Sequence, residues 1–336
     1  MTNVVVTGGA GFLGSRLARE LLAAPALAVA GGGDRPDRPI ARLTLIDQAP
    51  VAEDLGGDPR VRAVRGDLAD LMDPAGGGPG QLAGADVIFH LAAAVSAECE
   101  ADFDLGMRAN LQATERLLAS CRALGTSPVV VFSSSVAVFG ASEDHPLPVV
   151  VDDQTMPNPQ SSYGVQKVIG EHLIADYTRK GFVRGRTVRL MTVVVRPGRP
   201  NAAASGFLSS IIREPLVGER AICPVDPLTA VALASPARAI EGLLCAATSS
   251  DQDWGGRSAV NLPALTVTVQ DMIAALGRAA GPEAVALIDR KPEPAIARIV
   301  TSWPAAVRAD RATRLGLAAD KDFDSVVAQH IAETLG

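Results

Sequence analysis

Val4-Val5-Val6-Thr7-Gly8-Gly9-Ala10-Gly11-Phe12-Leu13-Gly14 is the stretch from which the fold of this chain can be read. Three β-branched valines read as a short buried strand. Glycines recur at 8, 11 and 14, and Leu13, Leu17 and Leu21 follow at helical spacing. The order is strand, tight glycine turn, helix, and its physical use is a diphosphate site. Gly8 permits the sharp turn, Gly11 lets the backbone approach a ligand, and Gly14 lets helix and strand pack closely. The unpaired amides and positive dipole end of the helix then face the anion. The spacing is Gly-x-x-Gly-x-x-Gly rather than Gly-x-Gly-x-x-Gly, so the surrounding chain has to carry the rest of the reading.

Beyond the first helix (about 11–24), the run from Pro25 to Pro39 reads as an exposed insertion rich in glycine and proline. The second strand is Arg42 to Ile46, and Asp47 ends it. A carboxylate there accepts both ribose hydroxyls of an adenosine and repels a 2′-phosphate, so the expected dinucleotide is NAD rather than NADP. The insertion accounts for a gap from Gly14 to Asp47 longer than the usual ~20 residues.

The third strand, Val61 to Arg65, leads into Gly66-Asp67-Leu68, where Asp67 can bond an adenine amino group or cap a helix. The fourth, Asp86 to His90, runs into Leu91-Ala92-Ala93-Ala94-Val95-Ser96. Side chains that small let a flat ligand lie against the backbone, and His90 reads as a hydrogen-bonded core histidine. Residues 99–123 read as one long helix containing Asn110, and the fifth strand, Val129 to Phe132, ends in Ser133-Ser134-Ser135. Five strand–helix repeats in this order give an α/β fold, a Rossmann-type doubly wound parallel sheet.

Residues 142–159, with prolines at 146, 148, 157 and 159, read as a surface loop. A helix of about 160–180 follows, then a sixth strand at 186–195. The remaining sequence reads as a smaller α/β lobe over the carboxyl ends of the sheet. Its helices are expected near 203–214, 235–247, 269–280 and 322–334. The expected division is a nucleotide-binding domain, 1–200, that takes contributions from later segments, and a smaller substrate lobe, 201–336.

Composition narrows the function. With 48% hydrophobic residues the chain can bury a full core, and its net charge of −6 argues against nucleic acid or anionic membrane as partners. Its apolar runs fall short of the roughly 20 residues that span a bilayer. No basic leader precedes the first strand, and four scattered cysteines make no metal or disulfide pattern. The expectation is a cytoplasmic protein without a metal.

Tyr163 and Lys167 stand four apart on the helix after the loop, so they share a face. The serine cluster ends the fifth strand, where open α/β sheets bind ligands. An ammonium beside the phenol, together with a positive nicotinamide ring, would lower the Tyr163 pKa toward neutrality. Tyr163 could then take a proton from an alcohol as hydride leaves, with Ser135 stabilising the same oxygen.

At these residues the sequence resembles the extended short-chain dehydrogenases/reductases. The matching pieces are Thr7 to Gly14, Asp47, Gly66-Asp67-Leu68, His90-Leu91-Ala92-Ala93, Asn110, Ser133-Ser134-Ser135 and Tyr163-x-x-x-Lys167. The resemblance implies Tyr163 as acid/base, Lys167 on the nicotinamide ribose, Ser135 on substrate, and Asn110 supporting a relay water near Lys167. Ser135 is the third serine by its offset from Phe139-Gly140. It also implies contacts to NAD from Gly8, Gly11, Phe12, Leu13, Gly14, Asp47, Asp67, Leu68, Leu91, Ala92, Ala93, Asn110, Ser133, Tyr163 and Lys167. Ala113 and Met191 depart from the family's expected glycine and proline, and Phe139 replaces the tyrosine of sugar-nucleotide epimerases.

Several stretches, among them Arg196-Pro197-Gly198-Arg199-Pro200-Asn201, Ile211 to Leu216 and Cys223 to Pro227, resemble the family's dehydrogenases of four-carbon sugar acids. That implies NAD-dependent oxidation of a C2 hydroxyl to a 2-keto acid. An arginine fork suits the carboxylate, with Arg196, Arg199 and Arg213 as candidates. Ser96, Asn201 and Ser205, besides Ser135 and Tyr163, are candidate partners for substrate oxygens. A sugar-nucleotide epimerase or dehydratase that retains NAD is the alternative, and a non-catalytic NAD-binding protein has no need of the Ser135, Tyr163 and Lys167 set. Such enzymes commonly form homodimers through two helices per subunit, here about 99–123 and 160–180.

Overall fold

The computed structural model describes residues 1–24, 26–29, 38–198 and 204–334. Among these residues twelve strands appear in chain order: β1 (Thr2–Thr7), β2 (Ile40–Asp47), β3 (Val61–Arg65), β4 (Val87–His90), β5 (Val129–Ser135), β6 (Arg184–Leu190), β7 (Thr192–Val193), β8 (Ala221–Cys223), β9 (Ala230–Ala234), β10 (Val260–Asn261), β11 (Leu265–Thr268) and β12 (Ile288–Arg290). Seven of them form one all-parallel sheet in the order β10-β6-β5-β4-β1-β2-β3. The order reverses between β1 and β4, so the crevice for a ligand opens at their carboxyl ends.

Strand alternation explains why both faces of this sheet are covered. Val4, Val6, Val129 and Val131 point to one side, against Leu17 and Leu21 of the helix Phe12–Ala23 and Ile240 and Leu243 of the helix Pro236–Thr248. Val5, Val130 and Phe132 point to the other, against Leu117 and Leu118 of the helix Ala113–Leu124 and Ile174 of the helix Ser162–Arg179. Each fully buried valine or leucine contributes roughly 1.5–3 kcal/mol, and the continuous apolar runs are what a sheet buried on both faces requires.

A second sheet, β11-β9-β7, and the pair β12-β8 lie in the second lobe. Its core gathers Leu208, Ile211 and Ile212 of the helix Gly206–Leu216, Met272 and Leu276 of the helix Val269–Val285, and Phe323 and Val327 of the helix Phe323–Thr334. The chain also returns to the first lobe. Ile240, Leu243, Val260, Leu262, Ala312 and Leu317 all belong to the core around Leu17 and Val4.

Three expectations need correction. The long helix at 99–123 is interrupted: Ser96–Ala101, Phe103–Gly106, a π-helical segment Met107–Gln112, then Ala113–Leu124. Asp102 leaves the helical region (φ −137°, ψ 97°) and its carboxylate accepts from the Leu105 amide, which starts a new turn. The strand expected at 186–195 ends at Leu190, and Thr192–Val193 crosses to pair with β9. The loop at 142–159 is not wholly superficial. Val151 is fully buried, and it exchanges backbone hydrogen bonds with Ala306 and Arg308. Most of the insertion at 25–39 lies outside the described residues. Within it, Leu27 is buried and pairs with Arg38.

Candidate active site

A cleft of 690 Å³ runs along the carboxyl ends of the strands. Gly8, Gly11, Phe12, Leu13 and Gly14 line one end of it. The glycines are there for space. Gly8 has φ +75°, and a Cβ on it would lie 2.8 Å from the Ala92 amide nitrogen. A Cβ on Gly14 would lie 1.9 Å from the Gly8 carbonyl oxygen. The helix beginning at Phe12 carries no side-chain cap, so its first-turn amides are left for a ligand. This cradle fits the diphosphate of a dinucleotide.

Asp47, Asp67 and Leu68 line the same end. One Asp47 oxygen accepts from the Ala10 amide at 3.0 Å and the other from the Ala49 amide at 3.0 Å, which fixes the carboxylate beside the glycine turn. Asp67 caps the short helix Leu68–Leu71 and is also gripped by Arg108, with contacts of 3.1 and 3.3 Å. Leu91, Ala92 and Ala93 line the middle of the cleft with Ser133.

At the other end Ser135, Tyr163 and Lys167 converge. Ser161 caps the helix Ser162–Arg179 by accepting from the Gly164 amide, so Tyr163 falls in its first turn and Lys167 one turn later. Close packing at Gly164, whose Cβ would meet the Ala137 carbonyl at 2.3 Å, draws this helix onto the end of β5. The buried Lys167 ammonium donates to the Ser133 carbonyl at 2.8 Å and lies 5.5 Å from the Tyr163 ring centre. Burial lowers its pKa to about 8.

The expected tuning of Tyr163 by Lys167 is not what the chain alone produces. Burial pushes the phenol up to about 12, against a hydrogen bond with Ser135 and the charge of Arg196, which favour the phenolate. In the chain by itself desolvation outweighs the stabilising contacts.

Asn110 stands behind the cleft rather than in it. It is buried in the π-helical segment, accepts from the Ala94 amide at 2.8 Å, and donates to Gln166 at 2.7 Å and to the Ala94 carbonyl at 3.2 Å. It thereby fixes the chain that follows β4.

His90 is the core histidine its apolar setting predicts. Its ring nitrogens meet the Thr7 and Thr114 hydroxyls at 2.8 and 2.9 Å. Burial, helped by the Lys167 charge, lowers its pKa to about 3. The unfolded chain binds a proton at this residue below about pH 6.5 and the folded chain does not. The contribution of neutral His90 is therefore complete above pH 6.5 and is lost as pH falls toward 3, by up to about 1.4 kcal/mol per pH unit. Urea titrations at pH 7 and pH 5 should show a larger acid-induced loss of stability in the parent chain than in His90→Asn. Equal losses would show that His90 is protonated in the fold.

Arg196, Ser205 and Ser96 also line the cleft, and the Arg196 guanidinium donates to the Ser205 hydroxyl at 3.0 Å. Burial and the neighbouring Arg213 charge hold the Arg196 pKa below its ordinary value. Arg213 is engaged elsewhere, with Glu214 at 2.5 Å and the Arg196 carbonyl at 2.6 Å, so it braces the loop. Arg199 and Asn201 lie outside the described residues.

Sequence reasoning missed several neighbours of the site. Trp303 reaches the cleft from the second lobe, and Thr192 and Glu98 line it as well. Ser134 donates to Glu171 at 2.5 Å, and Glu171 forms a buried two-point ion pair with Arg189 at 2.7 and 2.8 Å. Glu171 stands four residues after Lys167, a spacing that could have shown their common face. No one-dimensional signal marks Trp303.

A dinucleotide cradle joined to a Ser–Tyr–Lys cluster defines a nicotinamide-dependent oxidoreductase. Residues 4–231 match the NAD dependent epimerase/dehydratase family. A D-erythronate dehydrogenase of Cupriavidus necator is 49% identical over 339 aligned residues, covering 98% of each chain. A D-erythronate dehydrogenase of Haemophilus influenzae is 40% identical, again over 98% of each. The crystal structure of the nucleoside-diphosphate-sugar epimerase from Agrobacterium tumefaciens superposes with a TM-score of 0.88 at 41% identity, covering 100% of this chain and 95% of that one. The chain belongs to the NAD-dependent epimerase/dehydratase family, the extended short-chain dehydrogenases/reductases. Among the described residues no helix is long and apolar enough to cross a membrane, and no group of three or more ligating side chains could hold a metal ion.

Proposed function

We propose that this chain oxidises the C2 hydroxyl of a small sugar acid, with D-erythronate to 2-dehydro-D-erythronate as the reaction. The likeness to two relatives of that name over nearly the whole of both chains carries this reading. A cationic side chain, Arg196, on the wall of the same cleft as Tyr163 supports it.

NAD is held by Gly8, Gly11, Phe12, Leu13 and Gly14 at the diphosphate, by Asp47 and Asp67 with Leu68 at the adenosine, and by Leu91, Ala92, Ala93, Ser133 and Lys167 toward the nicotinamide. When bound, oxidised NAD supplies the hydride acceptor and a positive ring near the phenol. Tyr163 Oη takes the C2 hydroxyl proton as the C2 hydrogen leaves with its electron pair. Ser135 donates to the same oxygen and holds its developing charge. Lys167, beside the Tyr163 ring, passes the proton outward, and Asn110 keeps the backbone beside that route in place. Arg196 holds the substrate carboxylate, with Ser96 and Ser205 available to its hydroxyls.

Arg196→Ala should raise KM for the acid and lower kcat/KM by about 10- to 100-fold, the worth of a hydrogen bond to a charged group. The dissociation constant for NAD should hold. An unchanged KM would move the carboxylate site elsewhere.

The second reading, a sugar-nucleotide epimerase that keeps its NAD, is favoured by the likeness to the Agrobacterium nucleoside-diphosphate-sugar epimerase. Incubation with NAD and D-erythronate, and separately with UDP- and dTDP-sugars, separates the two. Net NADH from D-erythronate alone is the expected result. Turnover of a nucleotide sugar without net NADH would overturn the proposal.

We also place the enzyme in the cytoplasm as a homodimer. Phe103 is 60% exposed and Val165 44%, and with Ile169 they leave an apolar strip on the helices Phe103–Gly106 and Ser162–Arg179, which pack together. A monomeric mass by sedimentation equilibrium at micromolar concentration would remove the dimer.

A further inference from the structure

Trp303 is one of two tryptophans, and its surroundings set it apart from the other. Trp254 is buried in the core of the first lobe. Trp303 is half-buried, packs against the core of the second lobe on one side, and borders the cleft that also holds Tyr163, Thr192, Arg196 and Ser205. Among the described residues no group accepts a hydrogen bond from its indole N–H.

The segment carrying this side chain is fastened on both sides. The Ser302 carbonyl accepts from the Ala141 amide at 3.0 Å, and the Ala306 carbonyl accepts from the Val151 amide at 3.1 Å. Arg308 donates its amide to the Val151 carbonyl at 2.8 Å and pairs with Asp152 at 2.6 Å. Val151 is fully buried. The strap at 141–152 therefore fixes Trp303 relative to the end of β5, from which Ser135 projects. A large, rigid, amphipathic ring held in this way limits how far a substrate can extend from Tyr163, and its N–H is free to meet a terminal hydroxyl.

We infer that Trp303 sets the length of sugar acid the cleft accepts. This rests on the dehydrogenase reading above and extends it to a specificity-determining residue. Trp303→Ala should raise the ratio of kcat/KM for six-carbon over four-carbon aldonates by at least about tenfold, since even one misfitted methylene changes discrimination by about 10- to 200-fold. Trp303→Phe keeps a ring but loses the N–H, and should raise KM for the tetronate a few-fold with little change in the length ratio.

A second readout needs no turnover. Adding the tetronate to the NADH complex should quench tryptophan emission in the parent chain and not in Trp303→Phe. An unchanged length ratio in a Trp303→Ala protein that binds NAD normally would overturn the inference, as would an emission response that survives in Trp303→Phe. Failure of the parent chain to oxidise any aldonate would instead strike the dehydrogenase reading itself.

Discussion

Tyr163→Phe should lower turnover by about 10²- to 10⁴-fold while leaving NAD affinity within about twofold. The range is what a positioned acid or base contributes. The phenol stands in the cleft with Ser135, and in the chain alone burial holds its pKa at about 12. A phenol is a base only when ionised. The rate of alcohol oxidation should therefore rise with pH until the phenolate is fully formed in the ternary complex, and that rising limb should vanish in Tyr163→Phe. Calorimetric titration with NAD separates lost chemistry from lost binding. A variant with comparable turnover would remove Tyr163 from the mechanism.

Gly14→Ala should damage both folding and coenzyme binding. Ordinarily such a change in a helix stabilises a protein by about 0.4–1 kcal/mol, because alanine leaves the unfolded chain less freedom. Here the new methyl carbon would sit 1.9 Å from the Gly8 carbonyl oxygen, and the obstacles within 3 Å are backbone atoms. Overpacking of that kind costs about 1–3 kcal/mol, so the clash wins. Relieving it requires the glycine turn and the helix to separate, which spoils the diphosphate cradle, and NAD should bind at least about tenfold more weakly. Gly80→Ala is the control. It lies in a short helix with nothing within 4 Å of the added carbon, and it should be neutral or mildly stabilising. If Gly14→Ala behaved like Gly80→Ala in urea titration and calorimetry, the close approach of helix and strand would not be needed.

The parts that were legible in the sequence are those whose physics is local. Runs such as Val4-Val5-Val6 and Val129-Val130-Val131 announce strands covered on both faces, and the glycine spacing announces the turn between strand and helix. Tyr163 and Lys167 share a face through helical periodicity alone. The unreadable parts depend on residues far apart in the chain. Trp303 enters the cleft because a strap from a distant part of the sequence, residues 141–152, holds its segment by backbone hydrogen bonds, and backbone bonds leave no compositional trace. Arg213 has the same residue type as Arg196, and its bonds to Glu214 and the Arg196 carbonyl engage it away from the cleft. The break at Asp102 turns on one carboxylate choosing a backbone amide over solvent.

The return of residues 236–262 to the first sheet has a bearing on how this enzyme can be dissected. Ile240, Leu243 and Val260 cover Leu17, Leu21 and Val188, so a protein truncated at residue 200 would present that apolar surface to water. The coenzyme half is not a detachable module. Splitting, permuting or grafting it onto another scaffold would have to bring the Pro236–Thr248 helix and the β10 edge along.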